Sequence, residues 1–249
     1  MDNLIKYCLR IADNSLILSH RLGEYSSHGP FLEEDLAITN LALDHIGLAE
    51  SLLNHAAELE AKGRSGDDLA FKRAEHEYLN CQLVEHPNTD FAYIIARQFF
   101  TDVFNSFFYK ELQQSANDFL KGLAQKSSKE VAYHLRRSSE WMIRLGKGTE
   151  ESNTRIQKAV NNLWKYIPEL FAMDVCDEQM IKEGIGVDLK KVHEKWDEVV
   201  GDITQKAAIV LPGNTNLLTN GKNGFHSEYL GHLLCDMQYL NVRYPDAVW

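Results

Sequence analysis

The segment FAYIIARQFFTDVFNSFFYKEL, Phe91 to Leu112, constrains the fold more than any other stretch of the chain. It is apolar nearly all round at helical period, and a helix without a polar face is stable in water only when other elements cover it on every side. The segment therefore belongs in the middle of a helical bundle and is expected to be its most buried element. One residue breaks the pattern: Asp102 interrupts FFTDVF. A carboxylate in that setting must be paired, protonated or bound to a cation.

Helical periodicity dominates the rest of the sequence, with no series of alternating strands. A first helix is predicted from about Asn3 to Arg21, ending near Gly23. A second follows Gly29-Pro30 and runs to Lys62, where KGRSGDD breaks the chain. A shorter helix is expected over Leu69 to Leu83, before the turn signal HPNTD. Beyond Leu112, the spacing predicts a helix from about Ala116 to Leu145, one from Asn153 to about Met173 kinked at Pro168, and one from Leu189 to about Ala208. The polar connection LPGNTNLLTNGKNG leads to a last helix, His226 to about Arg243; its length predicts an arm that packs on a partner. Four long helices with short connections predict an all-α, ferritin-like four-helix core over about residues 1–146, with additional helices over about 150–249, in a single domain.

Composition narrows the partners. With 249 residues and 44% hydrophobic content the chain can bury a large core. Its 36 acidic against 26 basic side chains give a formal charge of -10, which repels phosphate backbones and anionic lipid surfaces. Neither nucleic acid nor a membrane is an expected partner, and Arg136 with Arg137 reads as a solvated helix face. The cysteines, at positions 8, 81, 176 and 235, form no C-x-x-C pair and no cluster, as in a reducing compartment. The N-terminus lacks the basic start and continuous apolar stretch of a signal peptide, and no run reaches the roughly 18 apolar residues that span a bilayer. A cytoplasmic location is expected.

The stretch KEVAYHLRR asks whether the bundle holds a metal. A carboxylate-bridged di-iron or di-manganese centre takes a carboxylate from each of two helices and Glu-x-x-His from each of the other two. The acids bridge and neutralise hard cations, and imidazole leaves positions open for oxygen. The candidates in chain order are Asp13, Asp44, Asp102 and Glu130. The paired histidines are absent: Gly47 stands three residues after Asp44 and Tyr133 three after Glu130. His45 is adjacent to Asp44, and His134 follows Glu130 by four, so only His134 shares a face with its acid. For Asp13 and Asp44 a hydrogen bond to a neighbouring Arg, Asn or Tyr competes with metal binding, and for Asp102 and Glu130 a polar network does, with Asn40, Arg97 and Tyr133 as available partners. In the last helix Glu228 and His232 are four apart with His226 just before them, a weak signal that an N-cap at Ser227 also explains. No nucleophile elbow, P-loop or dinucleotide fingerprint is present.

The blocks EEDLAITNLALDHIGLAESLLNHAAEL, LVEHPNTDFAYIIARQFFTD, KEVAYHLRRSSEWMIRLGKGT and GFHSEYLGHLLCDMQYL together resemble the PaaC family of phenylacetic acid degradation, and the likeness runs from ADNSLILSHRLGEY to Trp249. The resemblance implies a ferritin-like subunit of the multicomponent ring 1,2-phenylacetyl-CoA epoxidase, which inserts one oxygen atom of O₂ into the aromatic ring of a CoA thioester. It implies that the di-iron centre sits in the paralogous PaaA subunit, that this chain is its non-catalytic companion without a metal of its own, and that electrons come from NADPH through a separate reductase. On that reading Asp13, Asp44, Gly47, Asp102, Glu130, Tyr133 and His134 mark a degenerate site. The alternatives are an independent di-metal oxidase using Asp13, Asp44, Asp102, Glu130 and His134, and a homomeric helical scaffold. The sequence leaves open whether the isolated chain associates with itself.

Overall fold

The computed structural model describes residues 2–213, 219–245 and 247. The chain is all-α, as the periodicity predicts, and its residues group into two compact units: Met1–Pro87 with Thr219–Trp249, and Asn88–Leu218.

The first unit is built on a helical hairpin. Helix α1 (Asn3–Gly23) is capped by Asp2, whose carboxylate accepts from the Leu4 amide at 2.8 Å. It is buried over Tyr7 to Asp13 and again over Ser15 to Ser19, more than its amphipathic pattern implies. Helix α2 (Leu32–Glu60) packs along it through Ile38, Leu41, Leu48, Leu52 and Leu53. By length and composition α2 could cross a membrane, although 44% of its most apolar window is packed inside the protein.

A helix over Leu69 to Leu83 does not form. Only α3 (Gly66–Phe71) and two 3-10 turns, Glu75–Glu77 and Gln82–Glu85, occupy that region. The reason lies in two side chains of α1: Asp13 Oδ2 accepts from the Leu79 amide at 2.8 Å and Asn14 Oδ1 from the Cys81 amide at 2.8 Å. Those donors are thereby withdrawn from any helical ladder, and local propensity yields to tertiary hydrogen bonding.

The second unit is built on α4 (Phe91–Leu112) and α5 (Asp118–Lys147), which pack against each other. Helix α4 is buried without interruption from Ala92 to Val103, which satisfies its all-round apolar character. Helix α5 starts at Asn117, whose side chain accepts from the Leu120 amide at 3.0 Å. Replacing Asn117 with alanine is expected to cost about 1 kcal/mol, read as a lower urea midpoint at unchanged slope. Helix α6 (Glu150–Leu163) gives way to a 3-10 turn at Trp164–Tyr166 and then α7 (Ile167–Phe171), so the chain breaks where Pro168 predicts.

The periodicity gave no sign of α8 (Val175–Lys182). Its capping signal was nonetheless legible: Asp174 caps the Cys176 and Asp177 amides, and Asp177 returns a bond to the Asp174 amide, a reciprocal capping box. Helix α9 (Leu189–Lys206) places Trp196 among Phe100, Trp164 and Phe171 at centroid distances of 5.5 to 5.9 Å, with its indole N–H donating to the Phe100 carbonyl at 3.0 Å.

Part of the expected partner arm, residues 214–218, lies outside the described residues. Where the chain is described again it packs on its own first helix: the Lys222 carbonyl and Asn223 Oδ1 accept from Arg10 at 3.1 and 3.0 Å. Gly224, at φ 84°, passes so close to the His76 carbonyl that a β-carbon would sit 2.2 Å from it. The chain then enters α10 (Glu228–Arg243).

Candidate functional site

The first predicted ligand is already committed. Asp13 is fully buried on α1, and both of its oxygens are bonded by Arg73, with Nη1 to Oδ2 at 2.9 Å and Nη2 to Oδ1. Arg73 also donates to the carbonyls of Leu69 and Glu77 and lies 4.1 Å from the Tyr78 ring centroid. Burial works against the guanidinium, and the charge and hydrogen bonds of Asp13 overcome it, holding the Arg73 pKa above its usual value. Here the hydrogen-bonding reading prevails: Asp13 is one half of a buried ion pair.

On α2, Asp44 is half-buried, and Gly47 faces open space, with nothing within 4 Å of the position a β-carbon would take. His45, next to Asp44, is 3% exposed.

In the second unit, α4 and α5 bring two predicted residues together. Asp102 and His134 are both buried, and a ligand nitrogen of the histidine lies within 4.8 Å of a carboxylate oxygen. Gln98, one turn earlier on α4, donates to Asp102 Oδ1 at 2.7 Å. Burial pushes the Asp102 carboxyl up to about 6, against the charge of His134, the hydroxyl of Ser138, the Gln98 amide and the charge of Arg137. Arg137 is buried, whereas Arg136 lies over the Tyr133 ring, so the two arginines do not form one solvated face. Arg97, fully buried, donates to Asn88 Oδ1 at 2.7 Å instead of reaching Asp102.

Glu130 is half-buried, and Tyr133 is 46% exposed. Asn40 is exposed as well. The Glu228 and His232 pair stands on the less buried side of α10. His226 bonds instead to Glu85, 141 residues away, and the Ser227 hydroxyl donates to that same carboxylate while occupying the N-cap position. Nothing in the local sequence signals that pairing, because its partner is distant.

A di-metal carboxylate centre needs four carboxylates and two histidines. The donor set here does not fit: Asp13 is neutralised by Arg73, Gly47 has no side chain and Tyr133 points outward. In the second unit the structure places a buried carboxyl, bonded by Gln98, beside a buried imidazole.

These features define a class: an all-α protein of the ferritin-like type in which Asp13 is paired with Arg73 and Asp102 is bonded by Gln98. The family model described as phenylacetic acid catabolic protein matches residues 1–249, and the chain belongs to that family. It is 42% identical, over all 249 residues and the full length of both proteins, to a subunit of the 1,2-phenylacetyl-CoA epoxidase of Escherichia coli (strain K12).

Proposed function

We propose that this chain is a subunit of a 1,2-phenylacetyl-CoA epoxidase in aerobic phenylacetate breakdown, acting in the cytoplasm as the non-catalytic companion of a di-iron subunit, PaaA. The full-length identity to a protein named as part of that epoxidase supports the assembly, and the incomplete donor set supports the companion role. In this reading the di-iron centre, the oxygen chemistry and the supply of NADPH electrons belong to other subunits.

The observation that carries the pairing is on α2. Leu32, Leu36, Leu43 and Ile46 recur at helical spacing on one face and are 38 to 68% exposed, beside the open Gly47. A group of exposed apolar side chains on one helix face marks a protein contact. Glu33 and Glu50, both exposed, edge it, so the matching surface is apolar with a basic rim. The occupant is the catalytic subunit.

The test mixes the purified chain with the catalytic subunit, the reductase, NADPH and phenylacetyl-CoA. The chain alone is expected to bind no stoichiometric iron and consume no oxygen, and the mixture to form a stable complex that turns over. The double variant Leu36→Asp, Leu43→Asp should fold normally, since both positions are exposed, and weaken pairing at least about tenfold. Stoichiometric iron with oxygen uptake in the isolated chain would establish the independent oxidase instead. Failure to bind the catalytic subunit would leave a homomeric scaffold.

A further inference from the structure

We infer that the Glu85–His226 pair is a proton-dependent pin that fastens the returning C-terminal segment to the N-terminal part of the first unit and releases it as the pH rises. Helix α10 buries few apolar side chains, chiefly Leu230, Leu233 and Leu234, and it meets short elements: α3 and the two 3-10 turns. Its seat is made largely by polar bonds. Arg21 Nη2 donates to the Tyr229 carbonyl at 2.9 Å and Gln238 Nε2 to the Arg73 carbonyl at 2.8 Å.

At the head of the helix stands Glu85, its side chain fully shielded. The carboxylate accepts from the Ser227 amide at 2.9 Å, the Ser227 hydroxyl at 2.6 Å and Asn80 Nδ2 at 3.0 Å. His226 Nδ1 lies 2.5 Å from Oε1, and His226 Nε2 lies 2.7 Å from the Tyr78 carbonyl.

A carbonyl oxygen only accepts, so Nε2 carries a proton. With Glu85 ionised, Nδ1 must carry a proton as well to bond it, and the ring is then an imidazolium. The charged and titratable neighbours agree. From α1 come Asp13 and Arg21, from the segment after α3 Arg73 and Tyr78, from the Gln82–Glu85 turn and its end Glu85 and His86, and from α10 Tyr229. Arg73 neutralises Asp13, which leaves Glu85 as the counter-charge. Burial would lower the His226 pKa, but the hydrogen bond and charge of Glu85 overcome it and hold the value above the usual 6.5.

The sign follows. A histidine whose folded pKa is raised contributes stability that is complete below 6.5 and is lost as pH rises through the elevated value. A neutral ring has one N–H, so deprotonation leaves either the Glu85 carboxylate or the Tyr78 carbonyl without the donor that His226 supplied.

The test is a pH titration of the full-length chain with nitrogen-15 in the imidazoles, run beside hydrogen exchange of α10. We expect His226 to keep the two-proton nitrogen signature above pH 6.5. Across its midpoint, α10 amides should exchange about tenfold faster relative to those of α1, once the intrinsic rise is divided out. Glu85→Gln should bring both transitions to lower pH together. A neutral His226 at pH 6, or α10 exchange that ignores the histidine titration, overturns the pin. The wild-type titration decides the matter even if the variant fails to fold.

Discussion

Replacing Asp13 with alanine is expected to destabilise the chain by about 3–5 kcal/mol, which is the cost of leaving a buried charge without its partner. The magnitude follows from geometry. Arg73 and Asp13 side chains are 1% and 0% exposed, so water cannot replace the lost carboxylate. The variant also strips the Leu79 amide of its acceptor, loosening the segment whose helix Asp13 suppresses. A double replacement, Asp13→Leu with Arg73→Met, removes both charges and should recover part of the loss, because apolar pairs of similar volume replace buried ion pairs at little cost. Urea unfolding of the three proteins measures this. An Asp13→Ala chain within about 1 kcal/mol of the parent would mean that the guanidinium finds water or another acceptor.

Asp102→Asn is expected to act in the opposite direction. The carboxyl titrates near 6 in the folded chain against a reference of 3.8. Between those values the folded state holds a proton that the unfolded state has released, so stability falls as the pH rises and the full penalty is present above 6. That penalty is on the order of 3 kcal/mol. Asparagine cannot ionise and still accepts from Gln98, so the variant should be more stable than the parent by about 1–3 kcal/mol at pH 7.5 and nearly equal to it at pH 4. Parallel unfolding at the two pH values separates ionisation from packing. An equal difference at both would locate the effect in shape alone.

The helices were legible in the sequence because their signals are local. The apolar run of α4, the stop at Gly23, the start after Gly29-Pro30 and the break at Pro168 each act within a few residues, and the structure keeps all of them. The failures are long-range. The helix expected after Leu69 is undone by Asp13 and Asn14, more than sixty residues earlier. The candidate acids were correctly singled out as residues in need of partners, but periodicity could not say that Arg73 answers Asp13 while Gln98 and His134 attend Asp102. The same limit hid Glu85, an acid just past the expected helix, which gathers His226, Ser227 and Asn80.

The division of the chain also orders its making. The unit over Asn88–Leu218 is continuous and leaves the ribosome whole, ready to fold while synthesis continues. The other unit is split, and the residues that complete it, from Thr219 onward, are made after that continuous unit. Its hairpin of α1 and α2 emerges first yet waits longest, with the group of apolar side chains on α2 already exposed. A protein arranged in this way finishes itself late, when the final helix arrives to close the part that was begun first.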